Sequence, residues 1–521
     1  MAQAGTGRAS WLMRIGNRAS RRTLTRARLM AISLPQLWAF VALAGIFIVL
    51  GLWLVRPHDF WWHVRAGQWI VENGRLPRTD LFSFTRAGEP WAYQSWVMEV
   101  VFYLLLRAGD LPLVIFFHAL IITAAYALLL QANRRASGGD LRWAAMATMA
   151  AAVVGVDNWN VRPQIISLPL FVCVLYLLQR QASLAPGERD RSGDRSLWWL
   201  PPLFAFWANA HGGFVFGLAL LGAHLTAQMV SFIRRRGPFP GPLLLITGLS
   251  TAATLLTPLG MDMVDYVLGF LRHPVTRNLN VEFAAPTLRT VPGQLFFGFL
   301  AVWIASLLAG RYRPKLSESI ALLLFGGLAL MAKRNTVWFG FVAAPTMAAS
   351  LRRWAESRGS SKGARVGSPV LNLALTSVVA VLALLSLPWF RPHLPLPEWR
   401  RAYVSPETPV EAVAFLRQLP QPRRVFHEAS YGSYMIWASP EVPVFIDTRL
   451  ELYPPAQWSD YIALSQARYD WEAILKQYGV DTLLLRRETQ GPLIEAATVA
   501  PGWERCYQDE QAVIFQRREG S

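Results

Sequence analysis

The sequence predicts an α-helical polytopic membrane protein with about eleven transmembrane helices and a small C-terminal extracytoplasmic α/β domain. Three observations predict this class. Of the 521 residues, 53% are hydrophobic and only 16% are charged, whereas a soluble protein carries roughly a quarter charged residues. The apolar residues form separate stretches of helix length, with short basic runs between them. After the last stretch, strand-like and helix-like segments alternate.

The composition argues against other classes of protein. The net charge of +18 comes from short basic runs between apolar stretches, not from one folded patch, so nucleic acid is not an expected partner. Cys173 and Cys506 lie far apart in the sequence, which argues against a disulfide framework or a zinc site. The chain also has no glycine-rich phosphate loop and no HExxH motif, so nucleotide hydrolysis and zinc proteolysis are not supported.

The apolar stretches divide the chain into three regions. Residues 1–34 carry seven arginines and no acid, and they form a basic N-terminal tail that we expect in the cytoplasm. Residues 35–390 form the transmembrane domain, with a large first outer loop at 56–96, and residues 398–518 form the outer domain. The predicted spans are 35–55, 111–131, 142–156, 163–180, 197–210, 213–233, 242–258, 294–310, 317–332, 336–351 and 369–389. A further helix at 94–107 either lies along the membrane or pairs with the next span.

The charges of the loops predict which side each loop faces. When the chain is threaded alternately through the membrane, every Arg-rich loop falls on the side of the N-terminal tail. Cytoplasmic loops carry the excess of Lys and Arg, so this side is the cytoplasm. The opposite side then receives the loop at 56–96 and the C-terminal domain. We therefore expect a multi-pass protein of the plasma (inner) membrane with an outer C-terminal domain.

The first outer loop combines many tryptophans with charges of both signs. Carboxylates at a membrane surface are costly unless they have partners or a task, so we expect chemistry in this loop, in which Asp59 is the first acid. His63 follows four residues later and would share a helix face with it. The alternative for Asp59 is an N-cap of a helix at 61–71. Asp80 is a candidate substrate ligand or, alternatively, a turn cap before a β-like run.

Short polar motifs follow in the later outer loops. Arg162 and Arg334 are cations on the side that normally lacks them, and they are well placed to bind a lipid phosphate. Asn209 and His211, in the motif NAHGG, either contact substrate or cap helix ends.

Four short β-branched or aromatic runs predict the strands of the outer domain, at 424–428, 442–447, 480–485 and 512–517. Helices are predicted at 455–465 and 470–478. Asp447 and Arg449 directly follow a predicted strand, which is where ligands bind in open α/β sheets. The alternative is that they form an internal ion pair.

Five motifs together resemble a known class: DFWWH (59–63), GxxxxxxGxLPxxD (67–80), VRPQ (161–164), NAHGG (209–213) and VFIDTRLELY (444–453). They are similar to the motifs of a group of bacterial polytopic proteins placed near the C-type (GT-C) membrane glycosyltransferases. The predicted architecture resembles the GT-C class itself: a first span, a large outer loop with an acid just past the membrane, many further spans and an outer C-terminal domain. The resemblance covers most of the chain. It implies transfer of a sugar from a polyprenyl-phosphate carrier, within the lipid bilayer, to an acceptor on the outer face, which could be a glycan, a lipid or a protein.

The resemblance also implies roles for particular residues. Asp59 stands where the class has its characteristic acid, as the base for the acceptor hydroxyl, and His63 would orient or protonate it. Arg162, Arg334 and Arg277 would bind the leaving phosphate. Some members of the class use a divalent cation, for which Asp59, Asp157 and Glu282 are the candidate ligands. The chain lacks the adjacent acidic pair of protein O-mannosyltransferases and the WWDxG motif of oligosaccharyltransferases, which weakens a protein acceptor.

Two other functions compete with this one. A lipid or solute transporter or flippase usually shows inverted repeats with interrupted helices in matching positions, and no such repeat is visible in this sequence. A non-catalytic membrane scaffold, with an outer domain that holds partners, is compatible with the composition.

Overall fold

The computed structural model describes residues 32–183, 194–272, 281–359, 368–420, 423–468 and 470–518. Residues 1–31 of the predicted basic tail, parts of two basic loops and Arg277 lie outside the described residues. The chain begins with a bundle of helices, and its C-terminal part is built around a four-stranded sheet.

One helix lies in each of the eleven predicted spans, and within the described residues two more lie in the predicted outer loops. The helices are α1 (Leu34–Gly51), α2 (Phe60–Asn73), α3 (Trp96–Ala136), α4 (Leu141–Gly155), α5 (Ser167–Ser183), α6 (Leu200–Ala210), α7 (Phe214–Ile233), α8 (Gly241–Ala253), α9 (Asp262–Arg272), α10 (Val291–Ala309), α11 (Leu316–Met331), α12 (Thr336–Ser357) and α13 (Pro369–Leu385). The predicted helical membrane architecture is therefore confirmed. Helices α2 and α9 are the two that belong to outer loops.

Not every predicted span is long. In the described residues, five helical segments are long and apolar enough to cross a membrane, namely Leu34–Gly51, Trp96–Ala136, Pro163–Ala182, Phe214–Ile233 and Val291–Ala309. Three shorter apolar helices, α8, α11 and α13, accompany them. A bilayer needs roughly 20 residues of helix, so the number of about eleven crossings stays a prediction.

Helix α3 joins the predicted segment at 94–107 to the span that follows it. The two parts meet at a kink, where Gly109 and Asp110 leave the helical conformation and Asp110 takes a φ of 51°. Pro112 begins the second part, and proline suits the first turn of a helix because it has no N–H to donate. The kink lets the first part of α3 run in a different direction from the second.

The C-terminal part has the predicted α/β architecture. Its sheet has the order β1-β2-β4-β3, in which β1 pairs with β2 in parallel and the other pairs are antiparallel. The strands are β1 (Val425–His427), β2 (Thr482–Arg486), β3 (Trp503–Gln508) and β4 (Ala512–Arg517). The helices are α14 (Glu398–Arg401), α15 (Val410–Leu416), α16 (Ala429–Ala438), α17 (Pro455–Ser465), α18 (Trp471–Gln477) and α19 (Gly491–Val499).

The strand predicted at 442–447 does not form a full strand of this sheet. Only Val444 makes bridges, to Ser83 and to Val425. The backbone of Phe445 is engaged by side chains instead, because its N–H donates to His427 Nε2 at 3.0 Å and its carbonyl accepts from Thr85 Oγ1 at 2.7 Å. Strand β3, which is rich in polar residues, was not predicted.

The first outer loop is built into the C-terminal domain. Val55 pairs with Val404, and Phe82 and Phe84 exchange backbone hydrogen bonds with Val444. Trp62, Ala66 and Tyr93 from the loop share one buried apolar core with residues of α15, α16, β1, β2 and β4. Loop and domain therefore form one outer unit, and the ends of the membrane helices lie next to it.

Candidate functional site

A cavity of about 430 Å³ lies where this outer unit meets the helix bundle. Its walls come from many parts of the chain, which include the start of α2, the end of the first outer loop, the loop before α5, the start of α7, helix α9, the turn between α11 and α12, and residues 448–451 of the C-terminal domain. Segments far apart in sequence therefore bring polar side chains to one place.

Asp59 lies at this cavity, directly before α2. It occupies the N-cap position of α2, as the alternative predicted, but its side chain makes no capping hydrogen bond. Its Oδ2 accepts from Arg162 Nη1 at 3.3 Å, and Thr448 lines the same cavity. Burial raises the pKa of Asp59, but Arg162 and His63 outweigh burial, so the pKa lies below its usual value.

Arg162 joins Asp59 to a second carboxylate. Its Nη2 contacts Glu282 while its Nη1 donates to Asp59. The side chain of Arg162 is only 15% exposed, so the guanidinium sits between two acids near the cavity wall. Its first task in this structure is to hold two carboxylates in place.

His63 lies one turn after Asp59 on α2, as predicted, and lines the same cavity. Its Nδ1 lies 3.0 Å from Oε1 of Glu99, a fully buried residue of α3. Helices α2 and α3 can approach this closely because residue 67 is glycine: a Cβ there would lie 2.0 Å from the carbonyl oxygen of Glu99. Glu99 was missed as a site residue, although an acid in an apolar helix is itself a signal of function.

Two further predicted residues line the cavity. Arg334 lies on the turn Lys333–Asn335, with its guanidinium carbon 4.5 Å from the centre of the Phe283 ring. Among the described residues, Arg334 forms no ion pair with a carboxylate. His211 lies between α6 and α7, and its Nδ1 contacts Ser167 Oγ at 2.8 Å and the N–H of Gly213 at 2.9 Å. Among the described residues at the cavity, Arg334 is therefore a cation that can bind an anionic ligand without first breaking an ion pair.

Three other predicted substrate ligands form a buried network. Arg449 Nη1 lies 2.7 Å from Asp80 Oδ1, and Arg449 Nη2 lies 2.6 Å from Asp447 Oδ2. The side chains of all three residues are 0% exposed. Asp80 also accepts hydrogen bonds from Phe82 and Ser83. Of these three residues, only Arg449 lines the cavity. The geometry supports the structural alternatives: Asp80 caps a turn, and Asp447 forms an internal ion pair with Arg449.

Asn209 lies away from the cavity. Its Oδ1 accepts from Trp96 Nε1 at 2.9 Å, and its Nδ2 donates to the carbonyl of Leu256 at 2.9 Å. It borders a separate apolar groove. Asn209 therefore ties three segments of the bundle together, which corresponds to the structural alternative for this residue.

The candidate metal ligands do not converge. Asp157 pairs with Lys333 at 3.6 Å, while Asp59 and Glu282 share the guanidinium of Arg162. A hard cation needs clustered oxygen ligands, and the described residues contain no group of three or more His, Cys, Asp or Glu that could hold a metal ion. The three predicted ligands do not fit a divalent cation in this arrangement.

The cavity also contains residues that the sequence analysis missed. Glu451, from the C-terminal domain, lines it, and burial raises the pKa of this carboxyl to about 7, with Asp59 contributing. The side chains of Phe216, Val267 and Leu328 form part of an apolar wall. A cavity that joins cations and carboxylates to apolar walls is suited to an amphipathic molecule.

No protein-family model matches the chain, and no curated protein matches it by sequence. Solved structures do match. The archaeal oligosaccharyltransferase AglB from Archaeoglobus fulgidus, in complex with an inhibitory peptide and a dolichol-phosphate, has a TM-score of 0.54 at 12% identity, over 92% of this chain and 74% of that chain. ArnT from Cupriavidus metallidurans, bound to undecaprenyl phosphate, has a TM-score of 0.50 at 15% identity, over 92% of this chain and 98% of that chain.

The arabinofuranosyltransferase AftD from Mycobacteria adds a third match, with a TM-score of 0.53 at 14% identity. The match covers 93% of this chain and 42% of AftD. The chain has the fold of these glycosyltransferases. The predicted resemblance to GT-C enzymes is therefore confirmed at the level of the fold, and it extends over the membrane helices and the outer unit together.

Proposed function

We propose that this protein transfers a sugar from a polyprenyl-phosphate carrier to an acceptor on the outer face of the plasma membrane. The observation that carries the proposal is the cavity, which brings together an acid, a cation without a carboxylate partner and an apolar wall. Two of the solved structures with this fold hold lipid phosphates, namely dolichol-phosphate and undecaprenyl phosphate. This supports a lipid-linked donor.

Asp59 is the proposed catalytic base. It would accept the proton of the acceptor hydroxyl while that oxygen attacks the anomeric carbon of the sugar. The bond from this carbon to the phosphate oxygen breaks, and its electron pair stays on the phosphate. A base must be ionised to work, and the ion pair with Arg162 lowers the pKa of Asp59 against the effect of burial. His63, held by Glu99, is proposed to take up the proton next.

Arg334 and Arg162 then have different roles. Arg334 would bind the phosphate, because a guanidinium suits phosphate oxygens and no carboxylate among the described residues forms an ion pair with this one. Arg162 would position Asp59, since it already contacts two acids. The apolar side chains Phe216, Val267 and Leu328 would contact the first isoprene units of the carrier.

Donor binding tests this division of roles. The full-length protein in nanodiscs would be titrated with polyprenyl-phosphate-linked sugars, as wild type and as Arg334→Ala. Loss of one charge-assisted contact is expected to weaken binding by about tenfold or more. Lys333→Ala is the matched control: Lys333 is the neighbouring cation, pairs with Asp157 and is absent from the cavity wall, so binding should change little. If wild type bound none of the donors, the result would favour a transporter, a flippase or a scaffold. The shared fold does not favour any of these three functions.

A further inference from the structure

His211 is held in a single tautomer. The backbone N–H of Gly213 points at its Nδ1, at 2.9 Å. Because a backbone N–H can only donate, Nδ1 must accept and carries no proton. Residue 213 has to be glycine for this contact, since a Cβ would lie 2.5 Å from Ser167 Oγ and 2.9 Å from His211 Nδ1.

A second donor acts on the same nitrogen. Ser167 is fully buried, and its Oγ accepts from Trp207 Nε1 at 2.7 Å. The serine hydroxyl proton is therefore free to point at His211 Nδ1, 2.8 Å away. Burial, together with the charges of Arg334 and Arg162, lowers the pKa of His211 to about 3. The imidazole is thus neutral, with its one proton on Nε2.

The Nε2–H of His211 is placed to meet a ligand in the cavity. His211 lines the cavity together with Arg334 and Arg162. In the part of the chain that the structure describes, Nε2 has no hydrogen-bond partner. Nε2 is not one of the buried polar atoms that lack a partner, so this N–H is accessible from the cavity, and a ligand there that accepts a hydrogen bond can bind it.

We propose that His211 binds the phosphate of the lipid-linked donor by donating Nε2–H to a phosphate oxygen beside Arg334. This inference rests on the proposed function and adds to it an uncharged donor of fixed tautomer. A neutral donor can lie next to two guanidinium groups without repulsion, and it favours the phosphate oxygen that gains negative charge as the sugar leaves.

Two substitutions of His211 distinguish the role of Nδ1 from the role of Nε2. In His211→Asn the amide oxygen can replace Nδ1 as the acceptor for Gly213, but no N–H reaches the position of Nε2. In His211→Gln the amide nitrogen can reach that position. With the full-length protein in nanodiscs and undecaprenyl phosphate as the probe, we expect His211→Asn to weaken binding by about tenfold and His211→Gln by less than about threefold.

The outcomes separate this inference from the proposed function. If wild type binds the probe and His211→Asn binds equally well, the role of His211 is wrong and the lipid-phosphate site stands. If His211→Gln is as weak as His211→Asn, the loss is structural and the inference is also wrong. A wild type that binds no undecaprenyl phosphate removes the donor site itself.

Two further arms complete the test. Inorganic phosphate that binds to wild type while the lipid does not would show a site for a free anion and contradict the proposal. The ¹⁵N NMR spectrum of labelled histidine gives a readout that does not depend on any ligand. It should show His211 protonated at Nε2, and a proton on Nδ1 would overturn the inference.

Discussion

Two carboxyl groups at the same cavity have pKa values that are shifted in opposite directions. The pKa of Asp59 lies below its usual value because Arg162 and His63 outweigh the effect of burial. Burial raises the pKa of Glu451 to about 7. Environments that push two pKa values apart are typical of acid–base pairs in enzymes. The contrast favours Asp59 as the base and makes Glu451 a carboxyl that can still donate a hydrogen bond near neutral pH.

The ion pair with Arg162 sets the pH at which Asp59 becomes active. An ionised base is lost as the pH falls through its pKa, so a depressed pKa keeps transfer active at lower pH. Arg162→Gln removes the cation and should move the acidic limb of the transfer rate to higher pH. The measurement is the rate of transfer from pH 4 to pH 8 in both proteins. An unchanged acidic limb would show that Arg162 does not control Asp59.

Sequence reasoning found the residues whose charge is unusual for their place. Arg162 and Arg334 were selected as cations on the outer side, and both line the cavity. Asp80 and Asp447 were also selected as charges in outer loops, yet they are buried against Arg449. The sequence shows that a charged residue is present, but it does not show whether that residue pairs with a ligand or with another side chain. Glu451 was missed because its approach to the cavity depends on the packing of the C-terminal domain.

At the scale of elements, one arginine fastens the first outer loop to the C-terminal domain. Arg449 lies between Asp80 of the loop and Asp447 of the domain. Tyr453 also donates to Asp447, at 2.7 Å. The rings of Trp62, Phe82 and Trp91 lie within 5.7 Å of the guanidinium carbon. The segment that follows Asp447 supplies Thr448 and Glu451 to the cavity, so the contact made by Arg449 also positions the site.

Breaking this contact should destabilise the outer unit. Arg449→Met leaves two buried carboxylates without their cation, which costs about 3–5 kcal/mol. The control is Arg417→Ala, which removes an exposed ion pair with Glu441 in the same domain and should cost less than about 1 kcal/mol. Thermal unfolding of the purified full-length protein measures both. Equal melting temperatures for the two variants would contradict the proposed role of Arg449.

The elements that sequence predicted well are those with strong local signals. Each apolar stretch became a helix, because helix formation and burial both favour it. The run at 442–447 looked like a strand, but side chains of His427 and Thr85 take the backbone groups of Phe445. Strand β3 carries polar residues and is paired only with β4, so its position at the edge of the sheet, not its composition, makes it a strand.

For the whole molecule, the proposed transfer on the outer face of the membrane requires the outer unit to lie outside the cytoplasm. The alternation of basic and non-basic loops predicts this side. The fold requires the first outer loop and the C-terminal domain to lie on the same side, because they share one core.

A reporter fusion tests this orientation. An alkaline phosphatase fused after Arg391 should be active, because that enzyme folds outside the cytoplasm. A fusion after Arg236, at the end of a basic loop, is the control and should be inactive. Activity only in the second fusion would invert the predicted topology, and the proposed outer-face site would then be wrong.

Consumption of a polyprenyl-phosphate-linked sugar is the most direct test of the proposed glycosyltransferase activity. The full-length protein in nanodiscs would be incubated with a panel of such donors and a cell-envelope extract as the source of acceptor, and release of free polyprenyl phosphate would be followed. Wild type should consume one of the donors. Asp59→Asn should bind that donor and consume it at least about a hundredfold more slowly. An Asp59→Asn protein as fast as wild type would contradict Asp59 as the base, and a wild type that consumes none would contradict the glycosyltransferase itself.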